Sequence, residues 1–318
     1  MGNTLYIVVP CYNEEECVLD TAKVLKEKLE SLISKNKISN DSKILFSNDG
    51  SKDKTWELIT KLHNEDKIFA GLSLSRNRGH QNVCLAGLDY ASNYADMMIT
   101  IDADLQDDPN TIEEMVDKYN DGNDIVYGVR SSRKKDKFLK RFTAESYYKL
   151  LKKMGVEVIF NHADYRLMSK RAVKDLLEFP EVNLYLRGMV PLIGYKSDKV
   201  YYERFERMKG ESKYTITKMF SLAWNGITSF SVKPLKMILN LGICISFLSV
   251  VALIVFSILF GIKVLDFSLT SYAIMSIWLC TGIICIAVGV LGEYIGKILQ
   301  EVKRRPRYII DKTLNEND

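Results

Sequence analysis

The chain has 318 residues, 47% of them hydrophobic and 26% charged, which excludes a disordered or fibrous protein and leaves room for one large domain with a smaller appendage. Its formal charge of +4 is too small to mark the whole chain as a nucleic-acid binder. Six cysteines at positions 11, 17, 84, 244, 280 and 285 form no CxxC pair and no cluster with His, so they read as reduced thiols and exclude a zinc or disulfide framework.

The start, "MGNTLYIVVPCYNEEE", is no signal peptide, because its apolar run is short and ends in acid. It also lacks the Ser or Thr that a myristoylation signal places at position six. Apolar runs predict strands over 4–9, 43–47, 69–74, 97–102 and 124–129, and helical periodicity predicts helices over 15–32, 55–64, 80–94 and 111–120. Strands alternating with helices predict an α/β fold with a mostly parallel sheet, in which ligands bind beyond the carboxyl ends of the strands. The loops there are "PCYNEEE", "NDGSKD", "SRNRGHQ" and "ADLQDDP", all rich in polar side chains. No Walker loop and no GxGxxG occurs, which argues against an NTPase or a dinucleotide enzyme.

Farther along, no charged residue lies between Lys236 and Lys263, or between Asp266 and Glu293. A membrane helix needs about 20 apolar residues, so two transmembrane helices are expected, about 237–262 and 267–292. Their short link makes them a hairpin, and the lysines and arginines on both flanks put those flanks in the cytoplasm. The domain plan is therefore a cytoplasmic domain at 1–232, a hairpin at 233–296 and a basic cytoplasmic tail at 297–318. Ten Lys or Arg against Asp136 and Glu145 lie between Arg130 and Lys153. Beside a membrane hairpin, that excess of about +8 turns toward anionic lipid head groups and not toward nucleic acid. Apolar side chains at helical spacing over 137–154 and 215–230 fit either interfacial helices or core packing.

The fourth loop carries the sharpest chemistry. At a strand end, residues i and i+2 point to one side, so Asp102 and Asp104 present two carboxylates suited to Mg2+ or Mn2+, which would hold a diphosphate. Asp108 before Pro109 has the form of a helix N-cap, whereas Asp107 either supports the loop or is simply solvated.

Taken in order, "VVPCYNEEE", "NDGSKDKT", "LSRNRGHQNVCLAGLDYA", "DADLQDDP" and "ADYRLMSK", ahead of a two-span hairpin, resemble family 2 glycosyltransferases that load a sugar onto a polyprenyl phosphate. Bactoprenol glucosyltransferases and dolichyl-phosphate mannose synthases are the members most like it, and the resemblance covers essentially the whole chain. It implies a GT-A fold, a nucleotide-diphosphate sugar donor, a divalent metal and inversion at the anomeric carbon. The implied donor residues are Pro10, Tyr12, Asn13 and Glu14 at the base and ribose, Asp49 at the base edge, and Arg76, Gly79, His80 and Gln81 along the base and diphosphate. Asp102, Ala103 and Asp104 take the diphosphate and metal, with Gln106 near the sugar. Asn48 stands where the family usually has an Asp, which leaves base contacts open at that position. The acceptor phosphate is assigned Arg204, Arg207, Lys209, Ser212 and Lys213.

The catalytic set implied is Asp104, Asp164 and Arg166. Asp164 matches an acidic position often proposed as base, but a phosphate monoester has a second pKa of about 6 and needs no proton removal near pH 7. Asp164 therefore serves either as base or to orient the sugar or a cation, and Arg166 either pairs a carboxylate or stabilises phosphate. The expected function is transfer of one hexose from UDP-glucose to undecaprenyl phosphate, with UDP-galactose, a UDP-N-acetylhexosamine or GDP-mannose as other donors. The resemblance also implies a homo-oligomer, such as a tetramer, and a separate flippase. A processive polysaccharide synthase fits less well, since none of Trp56, Trp224 and Trp278 follows an Arg as a QxxRW motif requires. A membrane scaffold or small flippase has no need of the donor loops.

Overall fold

The computed structural model describes residues 2–131, 162–182, 185–205 and 269–315, with scattered helical positions between 235 and 258. Eight strands form one sheet in the order β7-β5-β6-β4-β1-β2-β3-β8. They are β1 (Leu5–Cys11), β2 (Lys43–Asn48), β3 (Phe69–Leu74), β4 (Met97–Thr100), β5 (Ile125–Arg130), β6 (His162–Ser169), β7 (Ser197–Tyr202) and β8 (Ile310–Leu314). The helices are α1 (Val18–Ser34), α2 (Thr55–Glu65), α3 (His80–Ala91), α4 (Thr111–Asn120), α5 (Lys170–Glu178), α6 (Leu186–Leu192) and α7 (Leu269–Val302).

Strands β3, β2, β1 and β4 run parallel, as the alternation of elements predicts, while β6 and β8 pair antiparallel with their neighbours. All seven residues of β1 are buried because helices cover both faces of the sheet. The two-residue period then divides them. Leu5, Ile7 and Val9 join the core that also holds Val18, Leu25, Leu29 and Leu32 of α1, and Tyr6 and Val8 join the one that holds Val83, Leu85 and Ala86 of α3. On that second side α3 comes so close that a methyl group on Gly87 would overlap Val8 and Ser47.

The four predicted helices and five strands are all present, with ends shifted by up to three residues. Helix α1 begins at Val18 and not at 15, because the Glu15 N–H and carboxylate bond to Asp53 and to the Lys54 N–H instead of entering the helix.

Two expectations change. Segment 297–318 is not a free basic tail: α7 continues to Val302, and Ile310–Leu314 returns as β8 on the edge of β3, with Gly71 opposite Leu314. The hairpin does not appear among the described residues either. Counting only described side chains, no helix is long and apolar enough to cross a membrane. Apart from scattered helical positions, the predicted span 237–262 lies outside the described residues. The span 267–292 falls largely within α7, 34 residues long, in which Leu269 to Gly292 carry no charge. Ile277, Ile284, Ile286, Val288, Leu291 and Ile295 of that helix are all exposed.

Candidate active site

The carboxyl ends of β1 to β4 place the four polar loops side by side, and hydrogen bonds between loops fix them. The Asn13 N–H donates to Ser51 Oγ (3.0 Å) and the Asn13 Oδ1 accepts the Lys52 N–H (2.9 Å), while the Glu14 N–H donates to Thr55 Oγ1 (2.9 Å). These bonds join the first loop to the second. Asn48, which replaces the family's Asp, donates to Ser73 Oγ (2.8 Å) and accepts the Ser51 N–H (3.2 Å).

Asp49 joins the second loop to the third. Its two oxygens accept the Arg78 N–H (2.7 Å) and the Gly79 N–H (2.9 Å), and only 1% of the residue is exposed. Asp49, expected at the base edge, is a buried clamp on the loop that carries Arg76 and Gly79. Burial raises its pKa against the lowering effect of those two N–H groups. Pro10 lies buried within β1 beside Ser47. Tyr12 is partly buried and Arg76 exposed.

The fourth loop is turned by Leu105, a non-glycine residue at φ 52°, and anchored where Thr21 Oγ1 donates to the Ala103 carbonyl (2.6 Å). Such a backbone costs of order 1 kcal/mol and is often found where a site needs its shape. The pairing of β4 with β6 sets Thr100 against Arg166, and continuing this register by two residues sets Asp102 against Asp164. Sequence spacing alone could not bring those two carboxylates together.

His80, at the start of α3, stands between them, with Nε2 3.7 Å from Asp102 Oδ1 and 3.7 Å from Asp164 Oδ2. Cys84 and the carboxylates of Asp164 and Asp102 raise its pKa well above the ordinary value, against burial. Asp102 keeps 38% of its side chain open. Burial, followed by the repulsion of Asp107, Asp164 and Asp104, pushes it up to about 6, although His80 pulls the other way.

Asp164 has the opposite environment. Arg166 Nη2 donates to Oδ1 (2.9 Å), and Arg187 donates from Nε to Oδ1 (3.2 Å) and from Nη2 to Oδ2 (2.9 Å). Burial alone would raise its pKa, but Arg187, His80 and Arg166 outweigh that and hold the carboxyl well below the usual range. Arg166 is 2% exposed and also donates to the Leu186 carbonyl (3.3 Å). Of its two expected roles, it fills that of carboxylate partner and is too deeply buried to meet a phosphate. Gln81, expected along the diphosphate, accepts the Leu186 N–H (2.9 Å) and so ties α3 to α6.

A second group lies beyond Asp104. Asp104 Oδ1 accepts the Gln106 N–H (3.2 Å), the Gln106 side chain accepts a bond from Arg204, and the Gln106 carbonyl accepts the Phe205 N–H (2.9 Å). Asp107 is neither solvated nor free: it is 2% exposed and accepts from Tyr202 Oη (2.5 Å) and Arg130 Nη2 (3.4 Å). Asp108 caps the turn leading into α4, its Oδ1 accepting the Asn110 N–H (2.9 Å), while the regular helix begins at Thr111. The buried Nε groups of Arg130 and Arg204 find no acceptor among the described residues. Arg207, Lys209, Ser212 and Lys213, like the segments 137–154 and 215–230, lie outside the described residues. Sequence reasoning missed Arg130 and Arg187, of which only Arg130, at the end of a predicted strand, had a positional signal.

A mostly parallel sheet with carboxylates and guanidinium groups gathered beyond its strand ends is a GT-A-like α/β arrangement. Residues 6–177 match the profile of glycosyl transferase family 2. The uncharacterized glycosyltransferase YkoT of Bacillus subtilis is 50% identical over 309 residues, 96% of this chain and 91% of that one. The SfII prophage-derived bactoprenol glucosyl transferase of Shigella flexneri is 40% identical over 315 residues, 98% of each chain. Among solved structures, a mannosyltransferase of Pyrobaculum calidifontis with GDP-Man and Mn2+ is a distant likeness, 14% identical over 96% of this chain and 89% of that one, with a TM-score of 0.47. The chain belongs to glycosyl transferase family 2.

Proposed function

We propose that this chain transfers one hexose, from UDP-glucose foremost, to undecaprenyl phosphate at the cytoplasmic face of the cell membrane, with inversion, supplying a lipid-linked sugar for cell-envelope glycans. The observation that carries this reading is the end-to-end likeness to a bactoprenol glucosyl transferase, 40% identical over 98% of both chains. Helix α7 supports the membrane location, because its 34 residues reach about 51 Å and its exposed apolar side chains need a nonpolar surrounding.

Asp102 and Asp104 would hold Mg2+ or Mn2+ together with the donor diphosphate. The fit rests on Asp102, an open carboxylate crowded by three others, whose repulsion a cation would relieve. No three His, Cys, Asp or Glu residues form a metal cage among the described residues, but a cation shared with phosphates needs only one or two carboxylates. Once bound, it would offset charge on the departing diphosphate.

Arg204, with Arg130 beside it, would face the acceptor phosphate; each has a buried Nε–H with no acceptor among the described residues, which an anion would satisfy. Asp164, held ionised by two arginines, is a weak base, and this favours an orienting role for it. Incubating membranes that hold the protein with undecaprenyl phosphate and a panel of labelled nucleotide sugars tests the reading. Label should enter the organic phase from one donor, and UDP-glucose is expected; no organic-phase label from any donor would refute lipid transfer.

A further inference from the structure

We propose that Arg187 is a positioning residue, whose guanidinium fork fixes the place and the rotation of the Asp164 carboxylate beside the reacting groups; this rests on the glycosyl-transfer reading above. Two N–H bonds to two different oxygens constrain a carboxylate as a plane. Arg166 reaches only Oδ1, so by itself it holds one oxygen and not both. Arg187 is also the more open of the pair, with 28% of its side chain exposed against 2% for Arg166.

The fork leaves Oδ2 directed at His80, which stands 3.7 Å from that oxygen and 3.7 Å from Asp102. Arg187 is itself held from behind. It follows Leu186 at the start of α6, and Leu186 is fixed through its N–H by Gln81 of α3 and through its carbonyl by Arg166 of β6. Thus α6 ties the first turn of α3 to the strand that carries Asp164, and Arg187 is where the tie meets that carboxylate. No sequence motif marks this residue, because the carboxylate it holds is 23 positions away and the groups that fix its neighbour Leu186 come from Gln81 and Arg166.

The test measures full-length Arg187→Ala, Arg187→Lys and wild-type protein with UDP-glucose and undecaprenyl phosphate, alongside Mn2+-dependent UDP binding and thermal melting. A displacement of about 1 Å at a reacting site costs on the order of 100-fold. Arg187→Ala should therefore lose about 100-fold in kcat, while KM for both substrates and Kd for UDP stay within about threefold. Arg187→Lys should recover part of the rate, and added ethylguanidinium should raise the rate of Arg187→Ala about tenfold, which a merely structural defect would not allow. A raised KM for the lipid with unchanged kcat would overturn positioning in favour of direct phosphate binding. An unchanged kcat in Arg187→Ala, or a loss that neither Lys nor ethylguanidinium relieves, would also overturn it. Wild-type protein that moves no glucose to lipid overturns the functional reading itself, a result visible before any variant is compared.

Discussion

Gly50 gives the most demanding check on how the donor loops are held. It sits at φ +61°, and a Cβ there would lie 2.7 Å from the Arg76 carbonyl carbon, 2.8 Å from Arg76 Cα and 2.9 Å from the Asn77 nitrogen. All three are backbone atoms, so no side-chain rotation relieves the contact. Carbon atoms pack at 3.5–4.0 Å, so the Gly50→Ala variant must open the second and third loops by about 0.9 Å. The left-handed backbone costs a non-glycine residue about 1 kcal/mol and overpacking about 2 more, giving about 3 kcal/mol and a Tm lower by about 9 °C. The shift is centred within two residues of the Asp49 bonds to Arg78 and Gly79. UDP affinity should therefore fall at least tenfold at temperatures where the variant is still folded. The assay pairs thermal melting with Mn2+-dependent UDP binding. Wild-type Tm and wild-type affinity in Gly50→Ala would refute this account of the loop contact.

The four carboxylates of "DADLQDD" should separate by variant. Asp102→Asn or Asp104→Asn is expected to abolish metal-dependent transfer; Asp102→Asn should also leave the metal-free Tm equal or higher, because at pH 7 that group is ionised above its folded value of about 6. A metal-free Tm well below wild type would contradict this. Asp107→Ala should lower stability by about 3 kcal/mol by leaving Arg130 and Tyr202 unpaired, against about 1 kcal/mol for Asp108→Ala, which loses a cap; equal effects in denaturant melts would refute the assignment. Lys35, Lys37 and Lys28 hold the Glu113 carboxyl at about 2 against 4.5 when unpaired. The folded value is depressed, so its stabilisation is present above about 4.5 and fades as pH falls toward 2. The Tm gap between wild type and Glu113→Gln should close over that range, and a gap constant with pH would contradict the linkage.

The parallel core was legible because its strands are buried on both faces and read as unbroken apolar runs such as "YIVV" and "MMIT". Strand β6 was not read as a strand, because "HADYRLMS" carries Asp164 and Arg166, polar groups placed there by the site and not by packing. Strands β7 and β8 lie at the two sheet edges, where charges such as Lys199 and Lys312 are tolerated and hide the pattern. In the site, spacing set Asp102 beside Asp104 and the family motif pointed to Asp164, but the place of His80 between Asp102 and Asp164 comes from the fold alone. The clamp role of Asp49 and the fork of Arg187 depend on how loops meet, which no local pattern encodes.

The pairing of β8 with β3 has a consequence for biosynthesis. Gly71 leaves the ribosome long before its partner Leu314, and the whole apolar α7 is made between them. Until then β3 is an open edge with unpaired N–H and C=O groups, able to recruit a foreign strand. Completion of the sheet therefore waits until α7 and β8 have both been made, so a chain stalled within α7 should be the aggregation-prone form of this protein.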